Sequence, residues 1–172
     1  MNNQRKNLTW KNSSGVRKIF TKNPHNQEPV YWNPHKSKIA AALFNGLEIF
    51  PFTENIKIFY NDNDKSNNSV MHIQNIIGIN GKIYFNKNEI YSDNELDIVY
   101  INTKNDDELI DILDYSNTKL KTNGFLFFTV SLNSNSINFL IEKIKQKNFS
   151  LIEEVNMNDY FKNSMMIIMQ KN

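Results

Sequence analysis

A chain of 172 residues is long enough to bury a real core in one domain, and without a single cysteine it can use neither disulfides, thiolate zinc sites nor a cysteine nucleophile. The formal net charge of +2 conceals a division: residues 1–38 carry +7 and residues 39–172 carry −5, so either the N-terminal segment faces a polyanion or it is a solvated basic tail. No apolar run has the length of a membrane span and no signal-peptide pattern opens the chain, so a soluble intracellular protein is expected.

Residues 1–31 are polar, and the short apolar fragments LTW, VRKIF and PVYW suit small strands, in the simplest case one β-hairpin. Pro34 then precedes a helix over 36–47, with Ile39, Ala42, Leu43 and Leu47 on one face. NIKIFY (55–60) reads as a strand, NSVMHIQNII (68–77) as a helix and KIYFN (82–86) as a second strand. LDIVYIN (96–102) has the nearly continuous apolar character of a strand buried on both faces. DDELIDILDY (106–115) forms a helix with acids in its first turn, and GFLFFTVSL (124–132) is the most hydrophobic strand. SINFLIEKIKQK (136–147) puts Ile137, Leu140, Ile141 and Ile144 at helical spacing, a stripe that suits core before partner groove. Two strands, FSLIEEV (149–155) and SMMIIMQ (164–170), close the chain as an antiparallel hairpin. Alternating strands and helices predict a three-layer α/β domain with a mostly parallel sheet over 32–172. The 30 asparagines, beside many lysines and isoleucines, fit AT-rich coding and require no prion-like role.

This element order, ending in a hairpin, resembles the S-adenosylmethionine-dependent methyltransferases, a Rossmann-like fold. The sharper resemblance is to fibrillarin, the 2′-O-methyltransferase of box C/D RNA–protein particles. WNPHKSKIAAALFNGL (32–47) is similar to the family's W-N-P-x-x-S-K-[LI]-A-A-A stretch. VMHIQNIIGINGKIYF (70–85) resembles its V-S-H-V-S-D-I-V-G-x-x-G-x-V-Y-A segment, LDIVYIN its V-D-V-[VI]-[YF]-x-D, and DYFKNSMMII its P-Y-x-R-D-H-A-x-V. The likeness runs in order from about residue 29 to the last residue.

The departures matter as much. Where the family has a G-A-x-S-G-T-T loop against the cofactor, this chain has Asn61, Asp62, Asn63, Asp64, Lys65, Ser66, Asn67 and Asn68. Asn and Asp permit the turn but fill the space that glycine leaves for a ligand. The family's ribose-holding acid corresponds to Lys87, which has no acceptor to offer. The chain also passes from Lys87 to Leu96 without the family's next strand and flanking helices. The eight residues 88–95 reach at most ~27 Å when extended, enough for a bare return and too little for a packed helix. By resemblance, deprotonation of the ribose hydroxyl uses a Lys, an Asp, a second Lys and a His. The matching positions are Lys38, Asn102, Ser131 and Ser164, so only the first is present, and an amide such as Asn102 takes up no proton at neutral pH.

Individual residues admit more than one reading. Lys38 fits a retained catalytic relic, a phosphate contact beside His35 and Lys36 at a helix start, or an exposed helix lysine. Arg17 and Lys18 join these as candidate RNA contacts. His72 suits packing beneath the sheet, and three scattered histidines make no metal cluster. Asp62 and Asp64 lack the downstream glutamate of a calcium loop. Tyr31 and Trp32 suit either base stacking or burial.

Three functions follow as expectations. The first is a catalytically silent fibrillarin-like subunit that needs no cofactor, docked on RNA and on a Nop-type scaffold protein, as the resemblance implies. The second is an active rRNA/tRNA 2′-O-methyltransferase with a rebuilt S-adenosylmethionine site. The third is a general RNA-binding module working through its basic N-terminal segment. The compartment would be cytoplasmic in an archaeon and nucleolar in a eukaryote.

Overall fold

In the computed structural model, residues 7–62, 68–103, 106–132 and 137–172 are described. The N-terminal fragments form three antiparallel strands, one more than a hairpin: β1 (Leu8–Ser13), β2 (Val16–Lys22) and β3 (Pro29–Tyr31). Ser14 and Gly15 both have positive φ, giving the two-residue turn whose twist suits a hairpin.

The single helix expected over 36–47 is split. Asn33 accepts from the His35 N–H at 2.9 Å and starts a 3-10 turn, Pro34–Lys36. Ser37 is extended, and its hydroxyl accepts from the Ala40 N–H at 3.2 Å to start α1 (Lys38–Phe44). A serine whose hydroxyl takes a first-turn N–H acts as an N-cap, so Lys38 becomes the first residue of the true helix.

The remaining elements follow the predicted alternation. They are β4 (Lys57–Asp62), α2 (Ser69–Ile77), β5 (Lys82–Tyr84), β6 (Leu96–Asn102), α3 (Asp106–Lys119), β7 (Leu120–Ser131), α4 (Ile137–Lys145), β8 (Phe149–Asn156) and β9 (Ser164–Lys171). The large sheet has the order β5-β4-β6-β7-β9-β8. Strands β5, β4, β6 and β7 are parallel; β9 runs antiparallel to β7, and β8, antiparallel to β9 in turn, closes the sheet in the direction of the parallel strands. This is the Rossmann-like arrangement expected, with β5 as its edge and no strand beyond β5 among the described residues. The link from β5 back to β6 holds one 3-10 turn, Lys87–Glu89, and no α-helix. Ile90 in that link is buried among Phe59, Leu109 and Leu113, so the chain returns across the α3 face of the sheet. The expected gap between 115 and 124 is absent: α3 runs to Lys119 and β7 starts at Leu120. Its first residues leave the regular ladder in a bulge opposite Leu96–Ile98. There a Cβ on Gly124 would stand 2.8 Å from the Lys121 carbonyl oxygen.

Side chains alternate between two cores. Ile58, Tyr60, Ile98, Tyr100 and Phe127 pack under α1 and α2, and the same cluster takes in Ile19 and Trp32 from the N-terminal segment. Phe59, Val99, Ile101, Leu126 and Phe128 pack against α3 and α4. Of the apolar stripe predicted on α4, Ile141 and Ile144 are buried there, and the side chains of Ile137 and Leu140 lie outside the described residues. His72 on α2 is buried, as predicted, against the small sheet. Asn75 Nδ2 donates to the Thr21 hydroxyl at 3.1 Å, and Thr21 lies 2.8 Å from His72 Nδ1. On the far side of the ring, Nε2 has no partner among the described residues. Trp32 stacks on the imidazole at 5.0 Å and is fully buried, so burial is its fate and not base stacking.

Candidate functional site

The parallel strands β4, β6 and β7 end side by side, and ligands of open α/β sheets bind beyond such carboxyl ends. In period-two alternation Tyr60 and Asp62 share one face of β4, as do Tyr100 and Asn102 on β6 and Thr129 and Ser131 on β7. Lys38 reaches the same edge from the start of α1. Its ammonium donates to Asn102 Oδ1 at 2.7 Å and lies 3.5 Å from the Thr129 hydroxyl. Thr129 itself donates to Asn102 Oδ1 at 2.6 Å. On its other side Asn102 Nδ2 donates to Asp62 Oδ1 at 2.7 Å, and the Tyr60 hydroxyl donates to Asp62 Oδ2 at 2.9 Å.

This network fixes the Asn102 amide. Turned over, it would set its NH2 against an ammonium and its oxygen against a carboxylate, both repulsive. Asn102, itself neutral, thus accepts from a cation on one side and donates to an anion on the other. An ordered polar bridge of this kind positions groups, but its amide accepts no proton.

Of the three readings open to Lys38, this placement speaks against the phosphate contact beside His35 and Lys36. Lys38 does not share a surface with His35 and Lys36; those two are exposed on the 3-10 turn, with the His35 ring edge-on to Tyr160 at 5.0 Å. The first residue of a capped helix can turn its side chain back toward the sheet, and Asn102 supplies the acceptor there. The other candidate RNA contacts also separate. Arg17 and Lys18 are successive residues of β2 and point to opposite faces: Arg17 lies 3.7 Å over the Trp10 ring and Lys18 lies 5.8 Å over Tyr31.

Ser131 and Ser164 are register partners across β7 and β9, so all four family-equivalent positions, Lys38, Asn102, Ser131 and Ser164, gather around the ends of β6 and β7. Asn61 faces the other way: its amide donates to Glu108 Oε1 at 3.0 Å, while Thr103 donates to Glu108 Oε2. Asn63, Asp64, Ser66 and Asn67 lie outside the described residues. Asn68, at the start of α2, donates its N–H to the Lys36 carbonyl at 3.4 Å, and Ser69 bonds Ser37 at 2.5 Å. Lys87 leans over the Tyr115 ring at 5.5 Å; burial, first among the causes, raises the Tyr115 hydroxyl to about 12. The carboxylate closest to Lys87 in sequence, Glu89, is exposed and accepts from Asn86 at 2.7 Å. Among the described residues no group of three His, Asp or Glu side chains stands ready to hold a metal ion, and no helix is long and apolar enough to cross a membrane.

A cofactor with a charged amino-acid end and a ribose needs open backbone after β4 and an acceptor after β5. As placed, Asp62 is turned onto Tyr60 and Asn102, Asn61 onto Glu108, and Lys87 leans over Tyr115. Thr129, Tyr60 and Glu108 escaped sequence reasoning. Thr129 and Tyr60 each stand two residues before a singled-out position, and strand periodicity was the signal that pointed to them.

Comparison with known proteins agrees with this architecture. A family model described as Fibrillarin matches residues 2–105, more than half of the chain. The fibrillarin-like rRNA/tRNA 2′-O-methyltransferase of Pyrobaculum aerophilum is 45% identical over 53 residues, 31% of this chain and 22% of that protein. The Pyrococcus furiosus protein of the same description is 36% identical over 84 residues, 41% of this chain and 37% of that one. The matched segments therefore span well under half of these curated relatives. In structure, Aeropyrum pernix fibrillarin with natively bound S-adenosyl-L-methionine superposes with a TM-score of 0.81 at 16% identity, covering 98% of this chain and 96% of that one. A fibrillarin in complex with Nop5p gives a TM-score of 0.72 at 13% identity, covering 96% and 98%. With the motif segments, the strand order and the family model in agreement, the chain belongs to the fibrillarin family.

Proposed function

We propose that this chain is a catalytically silent fibrillarin-type subunit of an RNA–protein particle, carrying RNA-binding and scaffold roles in rRNA or tRNA modification. The observation that carries the reading is Asn102: an amide stands where the resemblance calls for an acid, held between Lys38 and Asp62. Ser131 and Ser164 at the remaining family positions supply neither ammonium nor imidazole, so methyl transfer lacks help in removing the hydroxyl proton. Binding of S-adenosylmethionine is not part of this reading, since Lys87 is a cation and Asp62 is engaged within the protein. A Nop-type scaffold is the proposed protein partner, supported by the likeness to the fibrillarin solved with Nop5p.

The alternative is an active 2′-O-methyltransferase with a remodelled site. It is favoured by the Lys38 ammonium and the Asp62 carboxylate remaining at the catalytic edge, and by Glu89 beside Lys87. Calorimetric titration with millimolar S-adenosylmethionine separates the two. The silent reading expects no saturable heat and no rise in melting temperature; a micromolar Kd followed by methyl incorporation into RNA would overturn it. A general RNA-binding module using only the basic N-terminal segment is tested by removing residues 1–31, which should then abolish RNA binding.

A further inference from the structure

The N-terminal sheet turns one face to the core and the other to solvent, and the outer face has a composition of its own. Ile19 and Thr21 point inward and are fully buried. Lys18 and Phe20, between and beside them, point outward by strand alternation. Pairing then brings the partners together: Lys11 opposes Lys18, and Phe20 opposes Tyr31. The Phe20 and Tyr31 rings lie 5.7 Å apart on neighbouring strands. Lys11 Nζ stands 5.2 Å above Phe20, and Lys18 Nζ 5.8 Å above Tyr31. Both are diagonal neighbours across the sheet. Tyr31 is 40% exposed, and Phe20 is half-buried at the centre of the face.

Two flat rings beside two ammonium groups, on a sheet of three strands, combine the two features that hold unpaired nucleotides: a π-face for each base and a cation for each phosphate. Duplex RNA offers no free base face to such a platform. Charge fits the same ligand. Over residues 1–38 the net charge is +7 with Glu28 as the one acid, and Glu28 sits in the β2–β3 turn accepting from Asn26 at 2.9 Å. A hydrophobic protein partner would have to desolvate two ammonium groups at the centre of the contact; an acidic strand of RNA neutralises them.

We infer that the outer face of the N-terminal sheet is a single-stranded RNA platform, with Phe20 and Tyr31 stacking two successive bases and Lys11 and Lys18 pairing with their phosphates. It deepens the proposed role in an RNA–protein particle and rests on that reading for RNA as the partner, but not on catalytic silence. The surface is separate from the Lys38–Asn102 edge.

The test is fluorescence anisotropy with the full chain, using an oligouridine of about 12 nucleotides and an RNA duplex of equal length. The Phe20→Leu/Tyr31→Leu pair retains apolar packing and removes both flat rings; circular dichroism checks that it folds. The expected result is at least a ~10-fold loss of oligouridine affinity, with duplex binding within about twofold of the parent. Lys11→Gln/Lys18→Gln should flatten the salt dependence of log K by ~1.4, or ~0.7 per phosphate; Lys145→Gln, on the far side of the molecule, should not. Oligouridine binding unchanged in the leucine pair, a parent chain that prefers duplex, or no oligouridine binding at all would overturn the inference. Saturable S-adenosylmethionine binding would overturn only the silent reading and leave this surface standing.

Discussion

The junction between the N-terminal sheet and α2 and the flank of the large sheet at β5 meet their surroundings in opposite ways. At the junction, Trp32, His72, Thr21 and Asn75 are buried and interlocked by stacking and hydrogen bonds. At the flank, Phe85, Ile79 and Tyr91 are 53%, 70% and 88% exposed, on the side where the resemblance calls for a further strand and its helices. Both regions fall within the segment that matches the family model, so family membership does not dictate which parts are closed. The junction holds the sheet to its helices whatever chemistry takes place, whereas the flank has lost an element without replacing what it covered.

Four measurements press on that contrast. The largest effect belongs to Trp32→Ala, which removes a fully buried ring from the junction and should cost ~3–5 kcal/mol in urea denaturation; a loss below ~1 kcal/mol would mean the junction is looser than its packing. Next is pH. Burial lowers the His72 imidazole from 6.5 to about 4, so the folded ring stays neutral while the unfolded ring charges near 6.5. The unfolded state therefore takes up the proton first. Stability is complete above pH 6.5 and falls through the window from 6.5 to about 4, by up to ~3 kcal/mol; His72→Gln should remove this one-proton slope from the stability–pH profile. Third, Asn102→Leu deletes the bridge between Lys38 and Asp62 and leaves two part-buried charged groups short of a partner. A destabilisation of ~2 kcal/mol is expected, which places the Lys38–Asn102 edge between junction and flank. Smallest is Tyr91→Ser on the flank, expected to move stability by no more than ~0.5 kcal/mol. A larger loss there would show that the flank is covered in solution.

Much of this was legible in the sequence because it is written in periodicity. LDIVYIN became β6 with the predicted limits, since a run apolar on both faces has few alternatives in an α/β fold. The shortened return from Lys87 to Leu96 was legible from chain length alone, and the strand order agrees with it. The split at Ser37 was not, because a serine within an apolar helical pattern reads as tolerated until its hydroxyl is seen capping Ala40. Periodicity did not show the inward turn of Lys38, although the resemblance had grouped it with Asn102: 3.6-residue spacing sets a direction along a helix but not the partner a long side chain finds across 64 residues. Thr129 was missed for a related reason. Attention to matched positions fell on Ser131, while the group that bonds Asn102 stands one pleat earlier on the same face.

The turns raise a separate matter of economy in the genetic code. Of the seven described non-glycine residues at positive φ, five are asparagines: Asn55, Asn94, Asn123, Asn148 and Asn163. The chain has only five glycines in all. Asparagine is the side chain that tolerates the left-handed region most readily after glycine, and its codons are rich in A and T where those of glycine are rich in G. A drift in base composition can therefore pass through the loops of such a fold without altering the path of the chain, and the nucleotide bias is absorbed at the bends while the strands keep their register.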